Sequence, residues 1–77
     1  MDAIFYAEPQ TKNGQIGTII LSENVEDIIA ECASWLSDES ISASDVKSPC
    51  PVMNRESGME LGRIHFKEEE IDYRSNY

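Results

Sequence analysis

From Ser22 to Asp38 the chain reads S-E-N-V-E-D-I-I-A-E-C-A-S-W-L-S-D, and its apolar residues recur at helical spacing. Val25, Ile28, Ile29, Cys32, Ala33 and Leu36 fall on one face at about 100° per residue, with Trp35 on the flank of that stripe. Glu23, Glu26, Asp27, Glu31 and Asp38 fall on the other. The pattern predicts one amphipathic helix over 22–38, apolar on one side and lined with carboxylates on the other. Ser22 or Asn24 suits the N-cap, and Glu23, Glu26 and Asp27 suit the positive end of the helix dipole. The exit is less favourable, because Asp38 and Glu39 stand where the dipole is negative. Glu23–Asp27 and Asp27–Glu31 are like-charge pairs at i,i+4, each costing about 0.2–0.5 kcal/mol. Breaks in local rules without structural gain tend to mark functional sites.

On either side the periodicity shortens to two. Ala3 to Ala7 is apolar and aromatic and reads as a strand that Pro9 either ends or marks as an edge. Asn13-Gly14 is a strong signal for a two-residue type I′ hairpin turn, because both residues tolerate positive φ. Gln15 to Leu21 then reads as the returning strand, pairing Thr11 with Ile16, Ala7 with Ile20 and Tyr6 with Leu21. Residues 41–46 read as a poor edge strand or a loop. The stretch 48–58 contains Pro49 and Pro51, whose missing N–H groups argue for an irregular connection. Met59 to Phe66 reads as a strand in which Met59 and Leu61 share one parity and Ile64 and Phe66 the other. Gly62 stands where the pattern shifts, as a β-bulge requires. After the acidic run Glu68-Glu69-Glu70, residues 70–77 form a tail that either frays or is fixed to the sheet by Ile71 and Tyr73. The expected architecture is α+β: one small domain over 1–77, with an antiparallel sheet of three or four strands (β-β-α-(β)-β) and one helix on one face.

Charge narrows the function classes. The formal net charge is −9, unevenly spread. Residues 1–45 hold nine acids against the single base Lys12, and residues 46–77 hold six acids and five bases. Such a field repels nucleic acid and anionic membrane and attracts basic surfaces. Met1-Asp2-Ala3 lacks the basic start of a signal peptide, and no apolar run approaches the length of a membrane span. The expectation is a cytoplasmic protein that binds neither nucleic acid nor membrane directly. Its two cysteines, Cys32 and Cys50, make no disulfide framework and are expected as free thiols.

Candidate chemistry is sparse. Cys32, Cys50 and His65 are the only soft metal ligands, with no C-x-x-C or H-x-x-x-H spacing, so neither a metal nor a cofactor is expected. A Cys50–His65 pair is the one conceivable nucleophile and base, with nothing basic close before Cys50 to lower its pKa. Gly14, Gly17, Gly58 and Gly62 match no phosphate-binding spacing. The sequence points away from an enzyme.

Partner binding remains. Carboxylates at i and i+4 on a helix lie about 6 Å apart along its axis, close to the spacing of phosphates along a nucleic-acid strand. An acidic helix of this kind fits a groove lined by Arg and Lys. The expected interface comprises Glu23, Glu26, Asp27, Glu31, Asp38 and Glu39, with Trp35 as an apolar anchor. Its partner is a basic protein surface, of the kind found on nucleic-acid-binding proteins, and the chain itself is a monomer or homodimer. In size and charge the chain resembles small acidic inhibitors carried by phages and mobile elements, such as anti-CRISPR and anti-restriction proteins, a likeness of composition alone. The alternatives are an immunity or antitoxin-like protein neutralising a basic nuclease, and a structural subunit whose acids only keep it soluble.

Overall fold

A computed structural model describes residues 3–68 and 70–77; Met1, Asp2 and Glu69 lie outside it, including the middle of the 68–70 acidic run. The element order is β1 (Phe5–Ala7), β2 (Ile20–Ser22), α1 (Val25–Asp38), a one-turn 3₁₀ helix (Ala43–Asp45), β3 (Cys50–Asn54), β4 (Glu60–Phe66) and β5 (Ile71–Ser75). The strands form one antiparallel sheet in the order β2-β1-β3-β4-β5, and α1 packs on one face of it. The fold is therefore α+β as expected, with five strands in place of three or four.

The first hairpin has the expected register and a different turn. Tyr6 pairs with Leu21 and Ala7 with Ile20, and the Thr11 N–H donates to the Ile16 carbonyl at 2.8 Å. The tight turn, however, is centred on Lys12-Asn13, where the Gly14 N–H donates to the Thr11 carbonyl at 2.8 Å. Only Gly14, at φ 72°, takes the left-handed conformation. The Asn13 side chain explains the preference. Its Oδ1 accepts from the Thr11 hydroxyl at 2.6 Å and the Gln15 N–H at 3.0 Å, bracing the loop from inside.

Helix α1 begins at Asn24, whose Oδ1 accepts the Asp27 N–H at 2.8 Å. It ends in a Schellman motif: Ile41 N–H donates to the Leu36 carbonyl at 2.9 Å and Ser40 N–H to the Ser37 carbonyl at 3.3 Å. Ser40 takes φ 53° in the position that usually holds glycine. Ile28, Cys32 and Trp35 are buried, and Val25, Ile29 and Leu36 are half-buried. Ala33, expected on the stripe, is exposed, because the buried arc is centred nearer Ile28 and Cys32 and leaves it past the edge.

The 48–58 connection is overturned. Cys50 to Asn54 is a central strand, flanked by β1 and β4. Arg55 N–H donates to the Ile4 carbonyl at 2.9 Å, so Met53 and Pro51, at the same parity, also turn their nitrogens towards β1. The β1 ladder ends at the pair Tyr6–Met53, and the missing N–H of Pro51 falls beyond it. Residues 41–46 form the 3₁₀ turn followed by a single bridge from Val46 to Thr11. The tail does not fray: Ile71 to Ser75 pairs with β4 over its whole length.

The expected bulge is present. Val52 pairs with Gly62 but Met53 with Glu60, which leaves Leu61 as the extra residue beside Gly62. A Cβ on Gly62 would stand 2.5 Å from both the Arg74 carbonyl oxygen and the Tyr73 hydroxyl. The Tyr73 ring thus occupies the space a side chain would have taken. Under the helix, Ala7, Ile20, Cys50, Val52, Ile64 and Phe66 from the sheet meet Ile28, Cys32 and Trp35, and Val46 completes this core.

Candidate functional site

The carboxylates expected to bind a partner are all exposed: Glu23, Glu26, Asp27, Glu31, Asp38 and Glu39. They do not form one row. Asp27, Glu31, Ser34 and Asp38 follow one another at i, i+4, i+7 and i+11, a single strip along the β2 side of α1. Glu23 precedes the helix, and Glu26 lies off this strip. Asp27 also has a local task. Its Oδ2 accepts from Asn24 Nδ2 at 3.0 Å and from the Ser22 hydroxyl at 3.4 Å, returning the cap it receives.

Trp35 is corrected in part. It is 8% exposed, so its indole belongs to the core beneath α1 and is no protruding anchor. Its rim nevertheless lines a shallow groove of about 280 Å³ with Glu31, Ser34, Asp38 and Glu39 on one side and Thr18 to Ile20 on the other. The apolar contact in that groove comes from Ile19, which is 65% exposed. Sequence reasoning missed Ile19; the signal was its parity, opposite to that of core-facing Ile20. Glu39 also borders a wider cleft of about 490 Å³ shared with Thr11, Lys12, Ile41 and Asp45. Exposed carboxylates therefore continue from Asp27 round the helix end to Asp45, a second residue missing from the expected set, with Lys12 beside Asp45 in the cleft.

Ion pairing separates the two halves of the molecule. Among the described residues, Arg63 pairs with Glu60 at 3.1 Å, and Asp72 with Arg74 at 3.1 Å and Lys67 at 3.5 Å. The Asn76 amide and then the Arg63 guanidinium hold the Glu60 carboxyl below its usual range. Arg74 does the same for Asp72, with Lys67 assisting. No carboxylate of α1 takes part in an ion pair among the described residues.

Cys50 and His65 do not meet. Cys50 pairs with Ile64 and faces the core, so neighbouring His65 points to the opposite face of the sheet, beside Asp72. Both cysteines are free and buried. Burial pushes the Cys32 thiol up to about 12, with nearby Cys50 and Glu31 adding to the effect, and burial also raises Cys50. These are packing thiols at neutral pH. Among the described residues, no group of three His, Cys, Asp or Glu side chains is arranged to hold a metal, and no helix is long and apolar enough to cross a membrane. Comparison of the chain with protein-family models, with curated proteins and with solved structures finds no match.

Proposed function

We propose that this chain is a non-catalytic protein-binding module, an acidic inhibitor that docks the α1 carboxylates on a basic, nucleic-acid-binding surface in the manner of anti-CRISPR or anti-restriction proteins. One observation carries the reading: the α1 acids are exposed and free of ion pairs among the described residues, and they border a groove that offers Ile19 and the rim of Trp35. Free carboxylates retain their full attraction for an incoming cation, and an adjacent apolar contact supplies affinity that charge alone does not. The cytoplasm of a bacterial or host cell is the setting in which such a partner is met.

The test uses tagged protein to capture partners from nuclease-treated lysate at low and high salt, alongside the triple variant Glu31→Lys, Asp38→Lys, Glu39→Lys. Asp27 is left in place because it braces the helix start. The expected result is a nucleic-acid-binding protein, released by salt or by added DNA or RNA, and lost with the variant while its circular dichroism stays native. A partner retained equally by the variant, or indifferent to salt, would reduce the acidic strip to a solubilising surface.

A further inference from the structure

Among the described residues, strand β5 has a hydrogen-bonded neighbour on one side only, so its other edge carries open backbone groups. Which groups they are follows from the ladder with β4. Lys67 N–H donates to the Glu70 carbonyl at 3.0 Å, and Asn76 N–H to the Leu61 carbonyl at 2.8 Å. With the period of two, Asp72 and Arg74 turn their backbone towards β4, and Ile71, Tyr73 and Ser75 turn theirs outward. An open edge of this length is a template for another strand.

We infer that β5 is a homodimer interface, pairing antiparallel with β5 of a second copy in the register centred on Tyr73. In that register Ile71 meets Ser75 of the second copy, Tyr73 meets Tyr73, and Asp72 meets Arg74. The outward residues all fall in hydrogen-bonded pairs, giving about six backbone hydrogen bonds across the join. Asp72 and Arg74 fall in the intervening positions, where facing side chains come closest. Asp72 and Arg74 of the two copies therefore face each other on the sheet face away from α1, where Lys67 of each copy already pairs with its own Asp72. The charges also select this register. A slip by one pair in either direction sets Asp72 against Asp72 or Arg74 against Arg74, and like charges directly opposed are destabilising. Beyond the strand, Glu70 meets Asn76, so no acid opposes another there.

The other edge is a poorer template. β2 is three residues long and runs directly into Glu23, whereas β5 is five residues long and self-complementary. The two-fold axis stands perpendicular to the sheet, so the dimer is a ten-stranded sheet with both helices on one side.

Sedimentation velocity across a concentration series tests it on the full chain. The wild type is expected to sediment as a species of twice the 8.7 kDa chain mass. Asp72→Arg and Arg74→Asp each set like charges opposed at two symmetric positions, and each is expected to weaken self-association about tenfold or more. Circular dichroism checks that both variants remain folded. An equimolar mixture of the two single variants brings opposite charges back into register and is expected to form a heterodimer, and the double variant to regain the homodimer. A wild type that stays monomeric throughout, or a dimer indifferent to both single variants, would overturn the assignment. So would a mixture that fails to associate although both single variants are folded.

Discussion

Gly62 gives the sharpest test of the packing between β4 and β5. Gly62→Ala places a methyl group 2.5 Å from the Arg74 carbonyl oxygen, 2.5 Å from the Tyr73 hydroxyl and 2.7 Å from its ring carbon. The ring can swing aside at modest cost, but the carbonyl belongs to a strand paired along its whole length and yields only if β5 shifts. Overpacking of this kind costs about 1–3 kcal/mol, and replacing glycine within a strand returns about 0.5–1 kcal/mol of backbone entropy. The net expectation is a loss of about 1–2 kcal/mol, against a total stability of about 4–12 kcal/mol for a chain this size. Near the midpoint this lowers Tm by about 5–15 °C. Urea unfolding followed by fluorescence of Trp35, the only tryptophan, measures it directly. Repeating the substitution in a Tyr73→Leu background separates the two obstacles. The cost should persist there, because the carbonyl contact remains when the ring is gone. A Gly62→Ala variant as stable as wild type would refute the close approach of β5, and a cost that vanishes with the ring would refute the part assigned to the backbone.

Two further outcomes concern single side chains. Ser40→Gly should stabilise the protein by about 0.5–1 kcal/mol, because glycine takes the left-handed C′ conformation without a Cβ penalty; urea midpoints decide it, and a destabilised variant would contradict the Schellman geometry. Cys32 should resist thiol reagents in the native state and react only on unfolding. Its folded pKa of about 12 lies above the unfolded value of 9.0, so the neutral thiol contributes stability that is complete below pH 9 and lost as pH rises towards 12. Cys32→Ala should flatten that alkaline decline, and an unchanged slope would assign the decline to other groups.

The helix and the first hairpin were legible because their signals are local. Apolar residues at helical spacing and an Asn-Gly step leave few alternatives, and the pairing of Tyr6 with Leu21 followed from counting outward from the loop. The turn type was not legible, since it depends on the Asn13 side chain bonding to Thr11 and Gln15 rather than on φ preference. β3 was hidden by its prolines. Their cost depends on which neighbour the nitrogen faces and how far that neighbour extends, and neither is a property of the segment itself. The alternation of inward-facing Cys50 and Val52 was the available sign. The carboxylates of the candidate site could be read as exposed from the helical pattern. That Trp35 turns inward while Ile19 replaces it at the groove depends on where α1 sits over β2.

The join between β1 and β3 has a consequence for how the molecule assembles. β1 and β2 are joined by the hairpin connection 8–19, bridged at Gln10–Gly17, and β3, β4 and β5 follow one another as a meander. Both are short-range units. They meet along the sheet at the pairs Phe5 with Asn54 and Tyr6 with Met53, more than forty residues apart in the chain, with the Arg55 N–H to Ile4 carbonyl bond and the Thr11–Val46 bridge on either side. Closing so long a loop has an entropic cost that grows only slowly with length, but it must be met before the contacts it brings are gained. This seam joins the first hairpin to the meander, and α1 packs over the same face of the sheet. Cooperativity between the two ends of the chain passes through that seam and through the helix core.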